Sequence, residues 1–248
     1  MNNHKIIGLI TTTGKRDLTK SLNSMKQQTK KLHDIYIASE KQININENIL
    51  INPFTKGLAN NTMQALIRIK EIYKNEQIYI ATLDDDDEWD LNFIKNGTKL
   101  VQKNFNFISG YLQYKSNHRI LDTLEFENTL TYNDFLYGNP GVEGSNKIFC
   151  LDLALESGGM PKNIKTATDR AFNINLLMHP EVKFGVIEKV VAYHYVDSKD
   201  RLTNKKDKKE ELRKFYKHFW HLIDKNKIND INKRHLDLHQ IEEVINWK

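Results

Sequence analysis

The chain has 248 residues, 39% of them apolar and 28% charged, with 11 glycines, 4 prolines and a formal net charge of +5. That balance excludes a disordered or low-complexity protein. A single cysteine excludes an intramolecular disulfide, and no stretch approaches the roughly 20 apolar residues of a membrane-spanning helix.

In chain order, Lys5 to Thr11 is a continuous apolar run, the pattern of a strand buried on both faces of a parallel sheet. Asp17 to Gln28 follows as a helix with Leu18, Leu22 and Met25 on one face and Asp17 as its cap. Asp34–Ala38 and Asn48–Asn52 read as strands, Leu58–Tyr73 as a helix, Gln77–Leu83 as a fourth strand and Asp90–Val101 as a helix. This alternation predicts an α/β fold with a mostly parallel, doubly wound sheet and helices on its faces. Beyond residue 105 the rhythm loosens. Phe107–Tyr114 and Asn146–Cys150 read as strands, and Thr129–Phe135 as strand or short irregular pieces. Thr168–Met178 reads as a helix and Val182–Tyr195 as one or two strands. Past Asp200 two helical stripes follow, Leu212–Phe215–Tyr216–Phe219 and Leu238–Ile241–Val244–Ile245.

Ligands of such sheets bind outside the carboxyl ends of the strands. Three polar clusters fall there: Thr11 to Arg16, Glu40, and the run Asp84-Asp85-Asp86-Asp87. Four adjacent carboxylates repel one another unless a cation or a raised pKa relieves them. A hard divalent ion, Mn2+ or Mg2+, shared with substrate phosphates is the natural partner.

The same residues carry a resemblance. Ile10-Thr11-Thr12-Thr13-Gly14-Lys15-Arg16, then Ser21-Leu22 with Gln28-Thr29, then Leu83-Asp84-Asp85-Asp86-Asp87-Glu88-Trp89, resemble the motifs of the family 2 glycosyltransferases of the GT-A fold. The resemblance spans roughly residues 5 to 200, which predicts a GT-A domain over 1–200 and a basic helical extension over 201–248, hinged near Lys205–Lys209. It implies that Thr11, Thr12, Arg16, Glu40, Asp84 and Asp85 line the nucleotide sugar. Lys56 or Asn60 stands where relatives carry an Arg-Asn pair. It further implies that Asp86, with Asp87, reaches the metal, and that His194 contacts metal or diphosphate. Asp169, after the Gly158-Gly159 turn, becomes the general base, and Gly141 to Asn146 lies where relatives bind donor or acceptor sugar.

The implied activity is metal-dependent, inverting transfer from a nucleoside-diphosphate sugar, with UDP favoured, to a hydroxyl on a glycan, lipid-linked or protein acceptor. A nucleotidyltransferase and a non-catalytic nucleotide- or glycan-binding module are the rival classes. The bias toward Lys, Asn and Ile points to a bacterial source and surface glycan assembly. The expected location is the cytoplasm, extending to the inner membrane surface.

Other features read as structural. Cys150 sits among apolar neighbours as an inert thiol. His218 with His221 and His235 with His239 have metal-compatible spacing but no convergent carboxylates. The tail carries nearly all the excess charge: Asp197 to Lys248 holds 14 Lys or Arg against 10 Asp or Glu, a net of +4. Its aromatic stripe suits packing on the parent domain, a second subunit or a membrane surface, and no nucleic acid is expected.

Overall fold

A computed structural model of the chain describes residues 4–45, 47–51, 57–116, 119–197 and 208–246. Its strands are β1 (Lys5–Thr12), β2 (Asp34–Ser39), β3 (Asn48–Ile51), β4 (Ile78–Asp84), β5 (Glu88–Trp89), β6 (Phe107–Ser116), β7 (Arg119–Leu124), β8 (Lys147–Cys150) and β9 (Phe184–Tyr195). The helices are α1 (Thr19–Lys26), α2 (Leu58–Ile72), α3 (Phe93–Val101), α4 (Tyr132–Tyr137), α5 (Leu151–Glu156), α6 (Thr168–Met178), α7 (Lys208–His218) and α8 (Ile228–His239).

Among the described residues these strands form one sheet in the order β3-β2-β1-β4-β8-β6-β9-β5, with β7 hydrogen-bonded to β6. The pairs β1·β2, β1·β4, β2·β3 and β6·β9 are parallel, whereas β4·β8, β6·β8, β5·β9 and β6·β7 are antiparallel. Strand β8 therefore reverses direction between β4 and β6, and six of the nine strands share one direction. This is the mostly parallel, helix-flanked α/β architecture expected from the alternation.

The core explains the strands. Ile6, Ile7, Leu9 and Ile10 of β1 are all buried, as are Ile78, Tyr79, Ile80, Ala81 and Leu83 of β4. Both strands are sandwiched, which is why they read as continuous apolar runs. Gly8 packs where a Cβ would meet the ends of the Leu32 and Met25 side chains, which would have to shift to admit one. Gln28 sits wholly buried after α1 and works as a stitch. Its Oε1 accepts from the Ile94 N–H at 3.0 Å, and its Nε2 donates to the Asp90 carbonyl at 2.7 Å. Thr29 N–H donates to the Leu91 carbonyl beside it. The Gln-Thr pair thus anchors the segment that follows the acidic run.

Several elements differ from the sequence expectation. Thr129–Phe135 contributes to a helix, α4, because Thr131 and Asp134 form a capping box: the Thr131 N–H donates to Asp134 Oδ2 at 2.7 Å. Strand β7 and helix α5 were not expected at all; β7 is solvent-facing, with Ile120 and Leu121 exposed, so it lacks the buried pattern that marks a strand. In the tail, Leu212, Phe215, Tyr216 and Phe219 are buried as the stripe predicts. The second stripe fails. Helix α8 ends at His239 with Gln240 left-handed (φ 55°), and it buries Ile231 and His235 while Leu238 is 57% exposed. Val244 and Ile245 are buried from beyond the helix. The tail docks through Arg170 of α6, whose guanidinium donates to the carbonyls of Phe135 and Leu136 and to the Tyr216 hydroxyl. The expected hinge lies mostly outside the described residues; Lys208 and Lys209 open α7. Among the described residues no helix is long and apolar enough to cross a membrane.

Candidate active site

Parallel register brings the first half of the site together. Thr11 is paired with Ala38 of β2 on one side and with Asp84 of β4 on the other, so the carboxyl ends of three strands finish level. Everything just beyond them shares one edge. There the buried Thr12 hydroxyl donates to Asp85 Oδ2 at 2.7 Å, and Arg16 donates to Asp85 Oδ1 at 2.7 Å and lies 2.8 Å from Asp86 Oδ2. Burial pulls the Arg16 guanidinium down, but Asp85, Asp86 and Asp84 more than offset it and raise it.

Thr11 sits beside this cluster, its hydroxyl 3.0 Å from that of Thr62. Asn60 stands in the first turn of α2, and its neighbour Asn61 is buried and donates to the Ala38 carbonyl at 3.0 Å. Glu40 follows β2 directly and accepts from the Gly57 N–H at 2.9 Å, holding the entry to α2. Gly57 precedes that helix at φ 98°, a backbone conformation that favours glycine. Lys56 lies outside the described residues.

The last carboxylate of the run behaves differently. Asp87 is fully buried, with both oxygens engaged. Oδ2 accepts from the Ser145 hydroxyl at 2.5 Å and lies 3.0 Å from His194 Nδ1, and Oδ1 accepts from the Tyr195 N–H at 3.3 Å. Burial works against charge on His194, yet Asp87, Glu143 and Asp84 raise it to about 9. That environment favours the imidazolium form, which donates to Asp87. Of the three expected metal ligands, Asp87 and His194 are thus bonded to each other, while Asp86 pairs with Arg16.

Ser145 ties the two halves. Its hydroxyl accepts from the Asp84 N–H at 3.1 Å, and its carbonyl accepts from the Trp89 indole at 2.7 Å. Gly144 lies against the Asp84 carboxylate with no room for a Cβ. Burial and the charges of Asp169, Asp87 and Asp86 push the Asp84 carboxyl well above its ordinary range. Asp169 opens α6 and is 37% exposed, with its Oδ1 3.6 Å from the Nζ of Lys147. Glu143 stands nearby: it accepts from the Tyr114 hydroxyl at 2.7 Å, and burial, only partly offset by His194 and that hydrogen bond, raises its carboxyl. Glu143 and Ser145 fall in the Gly141–Asn146 segment marked in the sequence but were not named individually, and Lys147 was missed. The signal for Lys147 was available, since a charged residue sits inside the apolar strand pattern Asn146–Cys150.

The donor chemistry suits a hard cation. Carboxylate oxygens crowd one strand end, and the Asp84 carboxyl is raised first by burial and then by the charges of Asp169, Asp87 and Asp86. The number is smaller than the type suggests: among the described residues no group of three His, Cys, Asp or Glu side chains is arranged to hold a metal ion.

No family model and no curated protein sequence matches the chain. Solved structures do. The chain is similar to S. aureus TarS 1–349 in complex with UDP-GlcNAc, with a TM-score of 0.68 at 15% identity, covering 94% of this chain and 73% of that one. The complex of the same protein with UDP gives 0.66, again at 15% identity, over 95% and 73%. The mannosyltransferase PcManGT from Pyrobaculum calidifontis, in complex with GDP-Man and Mn2+, gives 0.59 at 14% identity over 88% and 64%. At such identities the likeness establishes the fold, which this chain shares with those structures.

Proposed function

We propose that the protein transfers a sugar from a nucleoside-diphosphate sugar, a UDP-sugar by preference, to an acceptor hydroxyl, with Asp169 as general base. One observation carries the reading: the Asp84–Asp87 run, the Thr12–Arg16 loop and Asp169 converge at the carboxyl end of β4, although Asp169 lies far away in the sequence. Shared fold with structures holding UDP-GlcNAc, UDP and GDP-Man adds support.

In this reading Thr11, Thr12, Arg16, Glu40, Asn60 and Lys56 bind the nucleotide, with Asp84 and Asp85 facing ribose and phosphate. Arg16 then exchanges its hold on Asp86 for the diphosphate. Asp86 leads the metal ligation, and Asp87 with His194 fixes the run from below. Mn2+ or Mg2+ held there would screen the charge building on the departing diphosphate. Asp169 takes the proton of the attacking hydroxyl, a single displacement inverts the anomeric centre, and alignment of the two substrates supplies much of the acceleration. Residues 1–200 carry this chemistry and residues 201–248 form the extension clasped by Arg170. A bacterial surface glycan, free or lipid-linked, is the acceptor class we favour.

The test is a panel of UDP-sugars and GDP-mannose with Mn2+, read by thermal shift and by nucleotide release. The expected result is one donor that stabilises the protein by several degrees only with metal and is slowly hydrolysed to the nucleoside diphosphate. Asp86→Ala should remove the metal-dependent part of that shift. Pyrophosphate release, or binding without turnover under any metal, overturns the reading.

A further inference from the structure

A buried lysine is a costly residue, and Lys147 is 1% exposed. It enters from β8 between Thr82 of β4 and Ser109 of β6, in the middle of the sheet. Its Nζ lies 3.6 Å from Asp169 Oδ1, 3.3 Å from Asn173 Oδ1 and 5.0 Å from the centre of the Phe172 ring. Those three partners are residues i, i+3 and i+4 of α6, so one face of the helix is built to receive the ammonium. Asn173 is fixed in turn by donating to the Val142 carbonyl at 2.9 Å. A methionine would fill the same volume without desolvating a charge. What the ammonium adds is a tether on one oxygen of the carboxylate we assign as base.

We propose that Lys147 is a positioning residue that holds the Asp169 carboxylate in the orientation from which it accepts the acceptor's proton. This rests on the glycosyltransferase reading above. Lys147 touches neither substrate; it acts through Asp169, and Asn173 keeps the ammonium in place. A misplacement of about 1 Å at such a site costs on the order of 100-fold in rate.

The experiment measures nucleotide release from the panel of UDP-sugars and GDP-mannose, each with Mn2+. Lys147→Met is expected to keep its fold and its KM for the donor and to lose about 100-fold in kcat. Lys147→Ala should regain kcat with added ethylammonium but not with sodium at equal ionic strength, because the cavity readmits a cation. A purely structural ion pair would move the melting temperature and leave kcat and amine rescue untouched. Should Lys147→Met fail to fold, Lys147→Gln takes its place, with the amine rescue read in parallel. Wild-type turnover with an unchanged kcat in the variants, or no amine-specific rescue, overturns the positioning role alone. A wild-type protein that hydrolyses no donor of the UDP-sugar and GDP-mannose panel overturns the glycosyltransferase reading, and this role with it.

Discussion

The two halves of the site are put together by different physics. At the ends of β1, β2 and β4 the pairing register alone levels Thr11, Ala38 and Asp84, and the polar residues that follow share an edge without further instruction. On the other side the continuous stretch from Glu143 through Ser145 to Lys147 meets Asp169 of α6 and His194 of β9. They meet through side chains that are themselves largely buried: Ser145 and Asp87, Lys147 and Asp169, Tyr114 and Glu143. In the proposed function the first half is a rim that binds and the second a packed network that orients. A rim residue can be lost with its ligand contact alone, whereas a network residue takes stability or geometry with it.

That contrast can be broken in two places, and a third measurement probes the tail. Asp169→Asn gives the largest expected effect, a loss of about 10²- to 10⁴-fold in kcat with donor binding intact, measured by nucleotide release beside thermal shift. Equal loss of binding would show that Asp169 belongs to the rim. Asp87→Ala comes next, because it removes the buried partner of His194, the Ser145 hydroxyl and the Tyr195 N–H at once. A cost of about 3–5 kcal/mol in denaturant unfolding is expected, far more than for Asp86→Ala. Comparable stability of the two variants would erase the distinction between the run's outer and inner carboxylates.

The third and smallest effect is in the tail. Burial, with Arg170 and His239 nearby, holds His235 down to about 3, and its Nε2 lies 2.7 Å from the Tyr216 hydroxyl. The unfolded chain takes up this proton first as pH falls through 6.5, so stability present above that value is lost below it. Between pH 7 and pH 5 the loss is about 2 kcal/mol. The difference in unfolding free energy between wild type and His235→Leu should shift by that amount over this range; a flat difference would mean that the imidazole is not held neutral.

How much of this was legible follows the same divide. The apolar runs of β1 and β4 and the helical spacing of α1, α2 and α6 are local patterns, and each was read correctly in kind from neighbouring residues; the four adjacent aspartates were placed correctly at the end of β4. Gln28 and Thr29 stood out as a motif, but their work as a stitch to Asp90, Leu91 and Ile94 was visible only once α1 and α3 had packed. Helix α4 hid because its signal is a capping pair of Thr131 and Asp134 and not an apolar period.

The sequence by itself determined the parallel sheet and the place of the acidic run, since burial on both faces and strand-end chemistry are written in consecutive residues. Only the tertiary structure decided which carboxylate takes which cation. Arg16 reaches Asp85 and Asp86, His194 reaches Asp87, and Lys147 reaches Asp169. Charge pairing depends on distance and desolvation in three dimensions, and neither is a property of spacing along the chain.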